Sequence, residues 1–90
     1  MEKFTWHDMA GADLSATTGT VISVSDHVYG EYATTNSDDH RATVEKYLAD
    51  YDFAETVTAV EIFVTIYQDG IESEIHTCLL THNHKIENWK

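Results

Sequence analysis

Cysteine, long apolar runs and cationic residues are scarce in this sequence, and each shortage argues against a class of protein. Cys78 is the only cysteine among 90 residues, so the chain cannot form an internal disulfide, as is usual for cytosolic proteins. No apolar run approaches the roughly 20 residues needed to span a bilayer. The residues after Met1 show no basic start followed by an apolar segment, so we expect no secretory signal. The sequence therefore predicts a soluble protein of the cytoplasm, with one domain covering residues 1–90.

The shortage of basic residues leaves the chain strongly acidic. Five Lys and Arg stand against sixteen Asp and Glu, which gives a formal net charge of −11. Neutralising phosphates requires clustered Lys and Arg, so we expect no direct binding to nucleic acid or to an anionic membrane. The acidity has two interpretations: it serves solubility or adaptation to a salty cytoplasm, or it presents acids to a basic partner protein.

Catalytic motifs are also missing. The sequence contains no glycine-rich phosphate loop, Walker motif, Gly-x-Ser-x-Gly elbow or paired-cysteine zinc signature. Neighbouring carboxylates are frequent, but in so acidic a chain they mostly mark solvated faces. Cys78 and His76 are two positions apart on a predicted strand, too far for the contact that a nucleophile and its base need. We therefore predict no enzymatic activity and assign no catalytic residue.

A β-hairpin between residues 57 and 81 is the strongest structural signal in the chain. Two runs rich in β-branched and aromatic residues, VTAVEIFVTIYQ and IESEIHTCLLT, flank Asp69-Gly70. Asp-Gly is a preferred dipeptide of two-residue hairpin turns, in which both central residues have positive φ. A regular ladder outward from this turn places Val64 opposite Ile75.

The predicted register separates the hairpin into two unlike faces, because alternate residues of a strand point to opposite sides. The apolar face contains the cross-strand pairs Val60 with Leu79, Ile62 with Thr77, Val64 with Ile75 and Ile66 with Ser73. The other face mixes acids and aromatics and contains Glu61, Phe63, Tyr67, Glu72 and Glu74.

A first hairpin and a helix are predicted upstream. Residues 20–24 and 28–34 predict two strands joined by a three-residue turn, which places Ile22 opposite Gly30. Residues 36–39 predict a helix start, with acids in the first turn where the helix dipole favours them. The helix that follows has an apolar stripe at helical spacing, made of Val44, Tyr47, Leu48 and Tyr51.

These elements predict an α+β fold. An antiparallel sheet of about four strands would carry one amphipathic helix on its apolar face, in the order ββαββ. A single helix covers only one face of a sheet. The mixed face is then either covered by the N-terminal segment, through Phe4 and Trp6, or exposed to a partner or a second copy of the chain.

His82 and His84 are the best candidates for a chemical site. Residues two apart on a strand project from the same face about 6.6–7 Å apart, a spacing that suits the ligation of one metal ion. Extending the hairpin register places Glu55 opposite His84, which would complete a zinc site. If the chain has left the strand by then, these are solvated polar residues. No other cofactor is expected.

The acids suggest a surface that imitates nucleic acid. Successive phosphates of one duplex strand lie about 6–7 Å apart, close to the spacing of alternate strand residues such as Glu72 and Glu74. Acids spaced in this way would enter the basic groove of a nucleic-acid-binding protein, and aromatic side chains would anchor the complex. The candidate partner-binding residues are Glu61, Phe63, Tyr67, Glu72, Glu74, Asp38, Asp39 and Glu45.

A short, acidic, proline-free chain without catalytic motifs resembles the small inhibitors encoded by phages and mobile elements, including anti-CRISPR and DNA-mimic anti-restriction proteins. The resemblance rests on the size of the chain and on the acids named above. It implies a non-enzymatic inhibitor or adaptor of a basic, nucleic-acid-binding partner in the host cytoplasm. The alternatives are a small metal-binding domain and a structural homodimer subunit.

Overall fold

The strands of the described chain form one antiparallel sheet, accompanied by one α-helix. The computed structural model describes residues 7–8, 13–26 and 30–90. The strands are β1 (His7–Asp8), β2 (Thr20–Ser25), β3 (Gly30–Thr35), β4 (Ala59–Gln68), β5 (Ile71–Thr81) and β6 (Ile86–Glu87). Helix α1 is His40–Tyr47, and a one-turn 3₁₀ helix spans Leu14–Ala16. The strands are hydrogen-bonded in the order β1-β3-β2-β4-β5-β6, and every neighbouring pair is antiparallel.

The α+β class is therefore confirmed, but the sheet has more strands than sequence analysis predicts. β1 and β6 contain 2 residues each, too few for the alternation that predicts a strand. The order along the described chain is β1-β2-β3-α1-β4-β5-β6 rather than ββαββ. Phe4 and Trp6, which we expected to cover the mixed face, lie outside the described residues.

The turn at Asp69-Gly70 forms as predicted. Gln68 pairs with Ile71, and φ is 50° at Asp69 and 80° at Gly70, the left-handed values that a type I′ turn requires at both positions. The amide of Asp69 donates to the carbonyl oxygen of Gly19 at 2.9 Å. In return, the amide of Gly19 donates to the Asp69 carboxylate at 2.7 Å. The end of the hairpin is thus fixed to the residue that precedes β2.

One extra residue in β5 changes the register beyond this turn. Tyr67 pairs with Glu72, but Ile66 pairs with Glu74, so Ser73 forms a β-bulge. The Ser73 hydroxyl donates to the carbonyl oxygen of Ile66 at 3.1 Å, where the ladder is disrupted. Because side chains alternate along a strand, the bulge turns every later residue of β5 to the face opposite the one predicted.

The predicted pairing of Val64 with Ile75 is consequently wrong. Val64 pairs with His76, and it is 1% exposed, whereas Ile75 is 67% exposed. The same correction applies along the hairpin. The face shared with Val64 contains Val60, Ile62, Ile66, Glu74, His76, Cys78 and Leu80. We call this the core face and the opposite side of the sheet the outer face.

The buried side chains of the core face form one hydrophobic cluster with the helical segment. Val44, Tyr47 and Leu48 belong to the same cluster as the core-face residues of β2, β4 and β5. Cys78 is also a member, and burial raises the pKa of its thiol to about 11. The thiol is therefore protonated at neutral pH and behaves as a small apolar side chain.

Helix α1 is shorter than the stripe of apolar residues suggests. It begins after Asp39, whose carboxylate accepts a hydrogen bond from the Ala42 amide at 3.1 Å, and it ends at Tyr47. Tyr51 packs against the core from beyond the helix. The first turn contains no acid, contrary to expectation, because Asp39 serves as the cap itself. No helix of the described residues is long and apolar enough to cross a membrane.

The first hairpin has a longer loop than predicted. Ser25 pairs with Gly30, and Ile22 pairs with Ala33 rather than with Gly30. Strand β2 lies between two neighbours, and both Val21 and Ile22 are fully buried. A strand buried on both faces lacks the alternation that fixes a register, so the sequence could not select the correct pairing.

Candidate binding surfaces

Four of the predicted partner-binding residues lie together on the outer face. Glu61, Phe63 and Tyr67 alternate along β4, and Glu72 pairs with Tyr67. Phe63 is 37% exposed, and both glutamates are exposed. Ile75, which sequence analysis assigns to the core, also lies on this face. The outer face therefore has an acid at each end of the hairpin, with exposed apolar side chains between them.

Glu74 does not join this surface, because the bulge places it on the core face. Its carboxylate accepts from His76 Nε2 at 2.8 Å and from His40 Nδ1 at 2.9 Å. The His76 ring stacks on Trp89, with ring centroids 4.4 Å apart, and the other ring nitrogen of His76 has no hydrogen-bond partner among the described residues. Glu72 and Glu74 thus lie on opposite faces, so the prediction that they stand side by side on one face is wrong.

The hydrogen bond from His76 and the nearby His40 lower the pKa of Glu74 below its ordinary value of 4.5. A carboxylate whose pKa is lowered by folding stabilises the folded state above its unfolded pKa. This contribution is lost as the pH falls below about 4.5 and through the folded pKa.

We expect Glu74→Gln to lower the free energy of unfolding by about 0.5–1 kcal/mol at pH 7, an effect kept small because the side chain is 41% exposed and solvent screens it. The difference between variant and parent should shrink in acid, where the parent's Glu74 becomes protonated. Urea denaturation at about pH 7 and about pH 3.5 measures it. Glu72→Gln is the control, and an equal, pH-independent loss in both variants would contradict the assignment.

Asp38 and Asp39 precede α1, and both are exposed. Together with Arg41 they line a shallow recess that also contains Glu74 and Trp89. Asp39 is engaged as the helix cap. Of this pair, Asp38 is therefore the acid better placed to meet a partner.

Glu45 contacts the C-terminal strand β6, and its binding to a partner stays a prediction. Its carboxylate accepts from the Ile86 amide at 3.1 Å and lies 3.5 Å from Lys85 Nζ. Arg41, one helical turn earlier, donates to the carbonyl oxygen of Ile86 at 3.2 Å. The two helix side chains thus bind both backbone groups of Ile86, a role that helical periodicity alone does not reveal.

The candidate zinc ligands do not have the strand geometry that the zinc hypothesis assumes. β5 ends at Thr81, and β4 begins only at Ala59. His82 and His84 therefore lie in the segment after β5, and Glu55 lies in the segment before β4. The His82 amide still donates to the carbonyl oxygen of Thr58 at 2.9 Å, but His84 has φ of 64°, so the extended strand does not continue to it.

The two histidines instead pack on an aromatic side chain. The ring centroids of His82 and His84 lie 5.1 Å and 5.3 Å from that of Phe53. His84 Nε2 also donates to the carbonyl oxygen of Tyr51 at 2.8 Å. The residues that the structure describes contain no group of three or more His, Cys, Asp and Glu that could hold a metal ion. Zinc binding stays a prediction, which calorimetric titration with zinc tests.

A cavity of about 430 Å³ lies between the core face and the segment around the end of α1. Leu48 and Ile62 are among its apolar lining residues, and Tyr47 and Tyr51 contribute aromatic rings. Four carboxylates also line it: Asp26, Glu31, Asp50 and Asp52. The described residues of the lining include no Lys, Arg or His.

Hydrogen bonds orient both tyrosines of this cavity. Tyr47 Oη donates to the carbonyl oxygen of Thr34 at 2.5 Å, and Tyr51 Oη donates to Asp26 Oδ2 at 2.8 Å. Burial, together with the hydrogen bond and the charge of Asp26, raises the pKa of Tyr51 to about 12. The phenol therefore keeps its proton and remains a donor, which fixes the ring in the wall of the cavity.

The sequence does not reveal this cavity, because its carboxylates come from separate stretches of the chain. Asp26 follows β2, Glu31 is in β3, and Asp50 and Asp52 follow α1. In sequence they resemble solvated acids, and only the fold brings them to one cavity. Comparison of the chain with protein-family models, with curated proteins and with solved structures finds no match.

Proposed function

We propose that this protein is a non-enzymatic binding protein that inhibits or adapts a basic, nucleic-acid-binding protein partner. The observation that carries the proposal is the composition of the outer face. It combines Glu61 and Glu72 with the exposed apolar side chains of Phe63 and Ile75. Apolar anchors surrounded by charge are the usual composition of a protein interface.

The charge balance supports the same proposal. A formal net charge of −11 favours fast, salt-sensitive association with a basic surface. The face differs from a phosphate ladder, because Glu74 points to the other side of the sheet. Binding therefore depends on apolar contact as well as on charge, and the resemblance to phage-encoded inhibitors stays part of the proposal.

The direct test measures binding to purified nucleic-acid-binding proteins of the source organism, in the presence and absence of their DNA or RNA. We expect a complex that weakens strongly between about 50 mM and about 500 mM salt. Competition with the nucleic acid identifies an inhibitor, and simultaneous binding identifies an adaptor. Absence of any salt-sensitive complex across such proteins would contradict the proposal.

A matched pair of double variants tests the outer face. Glu72→Gln with Ile75→Ser removes one acid and one apolar side chain from it, and we expect binding to weaken about tenfold or more. Glu55→Gln with Ile71→Ser makes the same chemical changes elsewhere, since Ile71 pairs with Gln68 and is directed to the other side of the sheet. Both isoleucines are exposed, at 67% and 72%. Equal losses in the two variants would show that the outer face has no special role.

The same apolar side chains also suit a second copy of this chain. In that case the protein is a structural homodimer, and its acids serve solubility. Light scattering of the free protein separates the two functions. A dimer that Ile75→Ser dissociates would replace the inhibitor proposal, and a monomer would support it.

A further inference from the structure

The cavity beside the end of α1 has an apolar interior and a negatively charged surround. Leu48 and Ile62 are 5% and 1% exposed, so its walls are part of the hydrophobic core. The charge comes from Asp26, Glu31, Asp50 and Asp52, which line the same cavity. This arrangement differs from a solvated acidic cluster, because the acids line a cavity of about 430 Å³ whose other walls are apolar.

The carboxylates argue against a purely apolar ligand, and the apolar walls argue against a bare metal ion. A neutral apolar ligand would bring no charge to the carboxylates and would desolvate them without compensation. A bare metal ion would gain nothing from the apolar walls. The lining therefore favours a ligand with an aliphatic stem and a cationic head, which buries the first and leaves the second among the acids.

We propose that this cavity receives an arginine side chain of the basic partner. The proposal rests on the proposed function, since the arginine belongs to that protein. The methylenes pack against Leu48 and Ile62, and the guanidinium group reaches Asp50 and Asp52. Arginine fits better than lysine, because its planar group pairs with carboxylates in two-point fashion and stacks on aromatic rings such as that of Tyr51.

The cavity and the outer face lie on opposite sides of the sheet. Ile62, in the cavity wall, belongs to the core face, whereas its neighbour Phe63 points to the outer face. The arginine therefore comes from a different part of the partner than the part that contacts Ile75 on the outer face. The two surfaces can be altered independently, which keeps the tests separate.

The test titrates the free protein with N-acetyl-arginine amide and follows the amide and methyl signals of Leu48 and Ile62 by heteronuclear NMR. We expect saturable shifts confined to the cavity lining at millimolar concentrations. N-acetyl-norleucine amide, which lacks the charge, should bind at least about tenfold more weakly. Equal binding of the two probes, or weak shifts without saturation over the whole surface, would overturn the proposal.

Two triple variants with the same change in net charge provide the control. Glu31→Gln, Asp50→Asn and Asp52→Asn together should weaken binding of the arginine probe about tenfold or more. Asp13→Asn, Glu55→Gln and Glu87→Gln together, at exposed acids that neither line the cavity nor belong to the candidate partner-binding residues, should leave it within about twofold. Equal loss in both sets would show that overall charge alone attracts the probe. Tighter binding of spermidine than of the arginine probe at these signals would assign the cavity to a free polyamine and overturn the proposal.

Failure of this inference is distinguishable from failure of the proposed function. If the arginine probe does not bind but the Glu72/Ile75 double variant still weakens partner binding, only the proposal for the cavity is contradicted. If no basic partner binds at all, the proposed function falls, and a protein arginine as occupant falls with it. If the triple cavity variant loses partner binding and keeps the NMR spectrum of a folded protein, the result supports both the proposed function and the proposal for the cavity.

Discussion

Replacing Gly70 by alanine should destabilise the protein by about 2–4 kcal/mol, through two separate causes. Gly70 has φ of 80°, a conformation that costs an L-residue roughly 1–2 kcal/mol. A Cβ at this position would also overlap the carbonyl oxygen of Ser15 and lie 2.9 Å from its carbonyl carbon. Backbone atoms cannot rotate away as a side chain does, so the 3₁₀ segment or the turn must move, at an overpacking cost of about 1–3 kcal/mol.

Gly19 is a matched control, because it exchanges hydrogen bonds with Asp69, the neighbour of Gly70. Its φ is 81°, and an added Cβ would meet no atom within 4 Å, so Gly19→Ala should cost only about 1 kcal/mol. Asparagine, which tolerates left-handed backbone, separates the two causes. Gly19→Asn should be nearly neutral, whereas Gly70→Asn should keep the steric loss. Thermal and urea unfolding measure all four variants, and similar losses at the two glycines would contradict the close packing against Ser15.

The second large effect distinguishes two isoleucines of the same hairpin. Ile66 is fully buried, whereas Ile75 is 67% exposed. We expect Ile66→Ala to lower the free energy of unfolding by about 3–4 kcal/mol, because it removes buried methyl groups and leaves a cavity. Ile75→Ala should change it by less than about 0.5 kcal/mol.

This comparison also tests the bulge directly. A regular hairpin without a bulge would place Ile75 opposite Val64 in the core, and Ile75→Ala would then cost several times more. Comparable losses at Ile66 and Ile75 in urea denaturation would show that the register described here is wrong. Retention of a cooperative transition in both variants keeps the comparison of midpoints valid.

The local rules were sufficient for the second hairpin turn, because the type I′ conformation depends on two residues only. Asp69 and Gly70 tolerate positive φ better than most residues, and the strands on both sides have strong β propensity. The bulge depends on tertiary packing instead. The bulged register buries Cys78 and Leu80 and exposes Ile75, whereas the regular register does the reverse. Nothing near Ser73 in the sequence indicates which of the two registers buries more apolar surface.

The candidate surface was predictable only in the part nearest the turn. Glu72 pairs with Tyr67 as expected because both precede the bulge as one moves outward from the turn. The sequence assigns Glu74 and Glu45 to a partner, because composition shows an excess of acids but not the contacts that each acid makes. His40, which also binds Glu74, and Ile86, whose backbone amide binds Glu45, are distant from them in sequence, so these contacts require the fold.

The position of Ser73 makes the hairpin unequally tolerant of changes in chain length. Deleting Ser73 would join two segments that are already in register with β4, so a shorter, regular hairpin would keep the same side chains inside. Deleting Thr77 instead either turns Cys78 and Leu80 towards water or removes the bulge, which moves Ile75 into the core and Glu74 and His76 out to the other face. Loss of a single codon therefore keeps the pattern of inward side chains at one point of this strand and changes it four residues later.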